Sequence, residues 1–395
     1  MLSMQSKSTL KINPLIIFFT CYLAYTSIYI ARLNLSMASP GFLQENILTQ
    51  EQIGMIGSIF FVVYALGRII NGIIGDRTSP WIMISSGLVL AGLSNLFIGL
   101  HPTFLSILLL WGTNAYAQSM LWSSLIRIIS EIYTYEKAKK MMSYMVTSVA
   151  TGNILGILLG TAIINRLGLQ FAFILPGGLL LVLCLLIILT TKSVICPTAK
   201  KAHIPTTHLV REKNIRTMIA PTVFHGMIKD NISLWMTVFF VDQYNIDLNQ
   251  SAAFVLFIPV VGFLGRIAYP TLYRLYKEKE RKLTSHAFIL CVVSSVLLLS
   301  KAIPPIVALL CLSLIYAAIS VINTFLLTAV PLQFAASGNQ SSVSGVMDFF
   351  TYLGAGIGSL IFGYLVGWFG YPAMFLTYAL VSTVSLVLIR KGRNS

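Results

Sequence analysis

Three polar side chains stand at helical spacing in an otherwise apolar stretch near the start of the chain. In PLIIFFTCYLAYTSIYIARLNLSMASPGF, Tyr25, Tyr29 and Arg32 fall at i, i+4 and i+7, so a helix puts two phenol hydroxyls and a guanidinium on one face. An arginine at the centre of a lipid-embedded helix costs about 2.5–3.5 kcal/mol. That face therefore points to protein or water. A guanidinium matches a planar oxyanion bidentately, and the tyrosines donate to the oxygens that remain. The chemistry indicated is capture of a small anion, not catalysis. No nucleophile–base arrangement is present, and the five histidines show no metal-ligand spacing. No enzyme activity, metal or cofactor is expected.

The elements that must hold this face are membrane helices. The chain has 395 residues, 56% apolar and only 10% charged, against about 25% charged in a soluble domain. Apolar runs long enough to cross a bilayer recur from end to end. They predict an all-α membrane protein of twelve transmembrane helices, near 14–42, 53–74, 81–100, 103–129, 141–165, 168–190, 217–241, 250–273, 284–300, 302–333, 341–368 and 371–390. The polar, basic stretch 191–216 falls at the middle of the chain. It divides a six-helix bundle over 1–190 from a second over 217–395, with itself as a cytoplasmic linker. Cys21, Cys184, Cys291 and Cys311 lie in apolar runs and Cys196 in a loop, with no paired spacing, so they read as small hydrophobes.

Charge sets the orientation. Of 27 Lys and Arg residues, Arg32, Arg68, Arg127, Lys229 and Arg266 fall within spans or at their ends, and Arg166 and Lys301 fall in loops of one side. All the others lie in the termini and in the loops of the opposite side. This positive-inside bias predicts both termini in the cytoplasm, in a cell (plasma or inner) membrane. It also accounts for most of the net charge of +15, so nucleic acid is not an expected partner and anionic membrane lipid is. A monomer is expected.

The two halves repeat each other. Arg32-Leu-Asn34-Leu-Ser36 matches Lys229-Asp-Asn231-Ile-Ser233 at an offset of 197, and ALGRII (65–70) matches FLGRIA (263–268) at 198. GILLGTAIINRLG (156–168) aligns with GSLIFGYLVGWFG (358–370) at 202. Parallel repeats of this kind put substrate at the repeat interface, and two-fold symmetry sets Lys229 across from Arg32. Two cations converging in low dielectric repel, and an anion between them removes that cost. The alternative is that each cation pairs with an acid. Asp348 is the candidate for Lys229, whereas adjacent Asp230 projects about 100° away on a helix. Asp348 itself reads as that partner, as a proton-coupling carboxyl, or as a polar residue near a helix end. Arg68, four residues after Tyr64, either lines the path or snorkels to the interface. The i, i+4 spacing of Arg127 and Glu131 suggests a local ion pair. His225 reads as a satisfied interior histidine.

GIIGDRTSP (72–80) resembles the Gly-x-x-x-Asp-Arg motif of the major facilitator superfamily, which implies two six-helix bundles around a cavity open alternately to each side. Asp76 and Arg77 would then belong to an interhelical gate. YTSIYIARLNLSMASP (25–40) is similar to the helix-1 signature of the organophosphate:phosphate antiporters, the glycerol-3-phosphate and hexose-phosphate transporter-like proteins. YALGRIINGIIGDRTSP (64–80) resembles their helix 2, with Arg68 where they carry Lys. AQSMLWSSLIR (117–127) resembles their helix 4, keeping Gln118, Trp122 and Arg127. VMDFFTYLGAGIGS (346–359) resembles their helix 11. The resemblance also implies a second basic residue on helix 7 six positions before a Trp, the relation of Lys229 to Trp235. Ser148 stands where some members carry a helix-5 His, Leu234 stands for the usual Asp, and Met120, Leu121, Ser123 and Ser124 replace glycines and prolines.

The expected function is secondary transport of a small organic anion. A phosphate ester exchanged for inorganic phosphate by alternating access is the first reading, with Arg32 and Lys229 holding the anion. Tyr25, Tyr29, Tyr64, Arg68, Trp122, Ser148 and Trp235 complete the expected pocket. Proton-coupled transport of a carboxylate or other non-phosphate solute, with Asp348 titrating H+, is the second. A transporter-like membrane sensor of a sugar phosphate is the third.

Overall fold

The computed structural model describes residues 12–194, 212–277, 279–300, 302–334 and 340–391. Most of the expected linker 191–216 lies outside the described residues. Those described are almost wholly helical. The helices are α1 (Pro14–Gln44), α2 (Gln50–Arg77), α3 (Pro80–Leu100), α4 (Phe104–Ser119), α5 (Leu121–Ile132), α6 (Tyr135–Leu167) and α7 (Phe171–Thr191). In the second half they are α8 (Lys213–Tyr244), α9 (Leu248–Leu275), α10 (Glu280–Leu297), α11 (Pro305–Thr324), α12 (Val330–Leu332), α13 (Gln340–Phe369) and α14 (Tyr371–Lys391).

Each predicted span falls on a helix, with two interruptions. The span over 103–129 is divided at Met120 into α4 and α5. The span over 302–333 passes from α11 through a π-helical turn, Phe325–Ala329, into α12. There the Val330 N–H reaches back to the Phe325 carbonyl. Pro331 follows, with no N–H to give and a ring that crowds the preceding turn, which favours the wider winding.

Local chemistry sets the boundaries. Thr103 and Ser106 form a reciprocal capping box at the start of α4. Asp247 Oδ1 accepts from the backbone N–H groups of Asn249 and Gln250 at 2.8 and 3.1 Å at the start of α9. Gly168 and Gly370, equivalent in the repeat, end α6 and α13 at φ 101° and 77°, a conformation that glycine adopts without strain. Nine helical stretches among the described residues are long and apolar enough to cross a membrane. Leu185 and Leu189 on α7 and Phe19 on α1 turn outward, as lipid-facing positions do. Helix α8 is not among the nine. It carries His225, Lys229 and Asp230 along its middle, so it needs protein beside its polar face.

The chain forms two compact units. One comprises Met1–Asn34 and Leu66–Lys201, the other Leu35–Ala65 and Ala202–Ser395. The residues that flank the α1–α2 turn thus belong with the second unit. Ser36 Oγ donates to the Ser233 carbonyl at 2.8 Å, and Ser359 Oγ donates to the Gly54 carbonyl at 3.0 Å. At Gly54 a methyl group would come within 2.6 Å of the Ser359 carbonyl oxygen and 2.7 Å of the Gly363 Cα, so only glycine lets α2 approach α13 so closely.

The repeat is visible in the packing of each unit. In the first, Gly67 of α2 abuts Ser119 of α4; in the second, the equivalent Gly265 of α9 abuts Ala317 of α11. Asn34 Nδ2 donates to Asn95 Oδ1 at 2.7 Å and to the Ala172 carbonyl at 3.3 Å, tying α1 to α3 and α7. Its counterpart Asn231 donates instead to the Ala355 carbonyl at 2.9 Å, tying α8 to α13, so the repeated asparagine is kept while its partner helix differs. Both asparagines are buried, and both serve packing.

Candidate functional site

In the first unit the repeated basic segment builds an aromatic and cationic row along α1. Gly152 and Gly156 let α6 come against α1, where a methyl at 152 would lie 2.5 Å from the Tyr29 Cβ. This contact orients the helix-1 face. Tyr25 packs against Trp122 of α5 with ring centroids 4.9 Å apart, and against Tyr29 at 5.4 Å. The Arg32 guanidinium carbon lies 5.5 Å from the centroid of the Tyr29 ring, a cation–π arrangement. The predicted face of Tyr25, Tyr29 and Arg32 therefore exists, and Trp122 joins it. Tyr25 is buried, while Tyr29, Arg32 and Trp122 are half-buried. Ser148 is fully buried, and its hydroxyl donates to the Met145 carbonyl at 2.5 Å. Arg68, half-buried on α2, belongs to this unit.

In the second unit the corresponding row lies on α8. The Lys229 ammonium sits 5.5 Å from the centroid of the Tyr352 ring of α13. Tyr352 in turn meets Tyr64 of α2 edge-on at 4.7 Å. Asp348, half-buried, stands one turn before Tyr352 on α13. The expectation that Asp230 points away from Lys229 is corrected. The two form an ion pair at 3.4 Å, because the flexible four-carbon stem of lysine swings its head across the angle between neighbouring positions. Tyr352 was not anticipated either. The available signal was its i+4 relation to Asp348. Trp235 is fully buried in the second unit, its indole enclosed by side chains.

Two further residues show what position alone did not. Arg127 Nη1 donates to the carbonyls of Gly75 and, at 3.0 Å, Thr78. These carbonyls belong to the end of α2, where helix termini leave acceptors unfilled and the macrodipole is negative. A guanidinium there caps the helix across a tertiary contact, a role that the local spacing to Glu131 did not suggest. Arg77 follows in the same turn and is exposed; the side chain of Asp76 lies outside the described residues. Replacing Arg127 by leucine removes charge-assisted bonds worth about 1.5–3 kcal/mol. Amide protection over 74–78, read by hydrogen exchange, is expected to fall about tenfold or more while α1 is unchanged.

His225 is the second. It is fully buried on α8, one turn before Lys229, with the Ile319 backbone of α11 beside its ring. Among the described residues no group of His, Cys, Asp or Glu is arranged to hold a metal ion. The chemistry on view is thus two cations, each lying on an aromatic ring and each set in the same five-residue repeat.

Comparison with known proteins adds the context. The sequence profile of the Major Facilitator Superfamily matches residues 21–358. A probable hexose phosphate transport protein of Chlamydia trachomatis is 27% identical over 172 residues, 44% of this chain and 38% of that protein. The matched region thus spans well under half the length of that relative. A phosphoglycerate transporter protein of Salmonella typhimurium is 23% identical over 403 residues, covering 91% of this chain and 84% of the relative. Among solved structures, the nucleoside transporter NupG superposes with a TM-score of 0.75 at 13% identity, covering 96% of this chain and 97% of that one. At that identity the likeness speaks for the fold.

Proposed function

The chain belongs to the Major Facilitator Superfamily, and from that premise we propose that it is a secondary transporter of a phosphate ester, exchanged for inorganic phosphate. It is an integral membrane protein, and two of the relatives that it resembles are named as transporters of hexose phosphate and of phosphoglycerate. The observation that carries the reading is the paired setting of Arg32 and Lys229. Each is the first residue of the repeated segment, each rests on a tyrosine ring, and each stands one turn, about 6 Å along its helix, from the serine of its own repeat. Those serines, Ser36 and Ser233, are in direct contact.

In the proposed mechanism Arg32 takes the phosphoryl oxygens bidentately and Lys229 acts as a point charge. Tyr25 and Tyr29 of α1 and Tyr64 of α2 line the approach. With both termini cytoplasmic, the α1–α2 turn is on the outer side. Ser36, Gly54 and Ser359 hold the ends of α1 and α2 against α8 and α13 within the second unit, and the anion crosses by alternating access. Bound anion compensates the buried charge and so favours the transition.

Proteoliposomes test this. Uptake of glucose 6-phosphate is expected to rise at least about tenfold when inorganic phosphate is trapped inside, because exchange needs a return cargo. Uptake indifferent to internal phosphate but driven by an inward proton gradient would instead favour the proton-coupled reading, in which Asp348 titrates. Its place one turn from the ring under Lys229 is the observation that keeps that reading in view.

A further inference from the structure

Three hydroxyl groups between α1 and α6 make four close contacts, and they carry only three hydrogens to fill them. The Tyr22 hydroxyl lies 2.8 Å from Thr151 Oγ1 and 3.1 Å from Thr147 Oγ1. Thr147 Oγ1 donates to the Tyr144 carbonyl at 2.7 Å, and Thr151 Oγ1 donates to the Thr147 carbonyl at 3.1 Å. A carbonyl has no hydrogen to give, and each hydroxyl has one. Both threonine hydrogens are thus spent on the backbone of α6, as helical threonines commonly spend them. Toward Tyr22 both threonine oxygens can only accept. The single phenol hydrogen serves one of them, Thr151 at the shorter distance, and the contact with Thr147 is oxygen against oxygen. The trio is one hydrogen short.

The trio is also open. Thr147 is exposed, and Tyr22 and Thr151 are half-buried, so a group arriving from outside can bring that hydrogen. Lipid tails have none to bring. The trio is continuous with the cationic row on α1. Tyr22 and Tyr29 are seven residues apart and diverge by only about 20° around the helix. Thr151 precedes Gly152, where α6 meets the Thr26 carbonyl and the Tyr29 Cβ. Tyr22 and Arg32 are separated by a rise of about 15 Å, and the guanidinium lies over Tyr29, which shortens the gap. Ser148, between the two threonines in sequence, has its hydroxyl spent on the Met145 carbonyl.

We propose that Tyr22, Thr147 and Thr151 form a second subsite, one that accepts a hydroxyl hydrogen from the organic part of the ester. The cargo is then a phosphorylated polyol or sugar, held lengthwise between this trio and Arg32. This rests on the reading that Arg32 holds the phosphoryl group. A substrate O–H donates to Thr147 Oγ1 and fills the contact that the phenol cannot. Lone pairs at the trio repel phosphoryl oxygens, so the two ends of the cargo are told apart and it lies in one direction. Inorganic phosphate is too short to reach the trio from Arg32, so the subsite discriminates the ester from its exchange partner.

Calorimetry on the purified full-length protein, with glucose 6-phosphate, glycerol 3-phosphate and inorganic phosphate as ligands, tests the proposal. Thr147→Val keeps the shape and removes the accepting oxygen. It is expected to weaken the tighter-binding ester about five- to tenfold and inorganic phosphate less than about twofold. Thr147→Ser restores the oxygen and should restore the ester affinity. The unfilled contact disappears in Thr147→Val, so its melting temperature should stay within about 1 °C of the parent, whereas loss of a structural tie between α1 and α6 would lower it. Thr147→Ala is the second oxygen-free variant should valine fail to fold. Inorganic phosphate that does not bind the unsubstituted protein overturns the anion-site reading itself. With phosphate bound, three results overturn the subsite alone: neither ester binding more tightly than phosphate, an equal change for ester and phosphate in the oxygen-free variant, or no recovery in Thr147→Ser.

Discussion

Arg32→Ala is expected to lower the affinity for a phosphate ester at least about 30-fold and to abolish measurable exchange. Removing one partner of an enclosed, hydrogen-bonded charge pair costs about 2–5 kcal/mol, and about 1.4 kcal/mol is a factor of ten. The loss goes beyond one point charge. Arg32 lies over Tyr29, which packs on Tyr25 and through it on Trp122. The guanidinium is thus held in place by a row of rings before ligand arrives, and little is lost in ordering it. Arg32→Lys keeps the charge and loses the fork, so an intermediate loss of about tenfold is expected. Affinity is read by the ligand-induced rise in melting temperature of purified protein, and exchange by proteoliposome uptake. Uptake unchanged in Arg32→Ala would remove the residue from the site.

Gly226→Leu is expected to prevent folding of the second unit or to lower its melting temperature by about 5 °C or more. A Cβ at position 226 would overlap the Thr351 carbonyl, and the reciprocal position, Gly354, faces the Val223 carbonyl in the same way. The obstacle in both cases is backbone, which no rotamer change relieves. Helix α8 and α13 would have to separate, and the Asn231–Ala355 hydrogen bond at 2.9 Å would lengthen with them. Overpacking costs about 1–3 kcal/mol or more, and each kcal/mol moves the transition of a unit this size by about 2–4 °C. Between membrane helices this close packing is itself the main attraction, because lipid is as apolar as leucine. Gly178→Leu is the control. That glycine on α7 has open space around its Cβ position, so its variant should melt within about 1 °C of the parent. Equal melting of both variants would show that the α8–α13 contact does not limit stability.

Sequence alone determined the features that follow from one-dimensional order. Apolar runs mark the helices because every backbone group in lipid must be bonded within its own helix. The repeat is legible because it is a repetition of letters. The Tyr25–Tyr29–Arg32 face is legible because helical spacing decides which residues share a side. Those inferences have counterparts in the structure: helices along the predicted spans, nine stretches among the described residues being long and apolar enough to cross a membrane, the Gly67/Gly265 equivalence, and a row in which Arg32 rests on Tyr29.

Tertiary structure decided what depends on reach and on neighbours from other helices. Spacing put Asp230 on a different side from Lys229, but a lysine head travels several ångströms on its stem, and the pair closed at 3.4 Å. Spacing also offered Arg127 a partner on its own helix, whereas the unfilled carbonyls at the end of α2 drew it across. The sequence placed the ends of α1 and α2 with the first bundle by connectivity. Contact set residues 35–65 with the second unit, because serine hydroxyls and bare glycine backbones let those ends lie directly on α8 and α13. Tyr352 entered the site for the same reason: a ring on α13 becomes the seat of a cation on α8 only once Gly226 and Gly354 have drawn the two helices together.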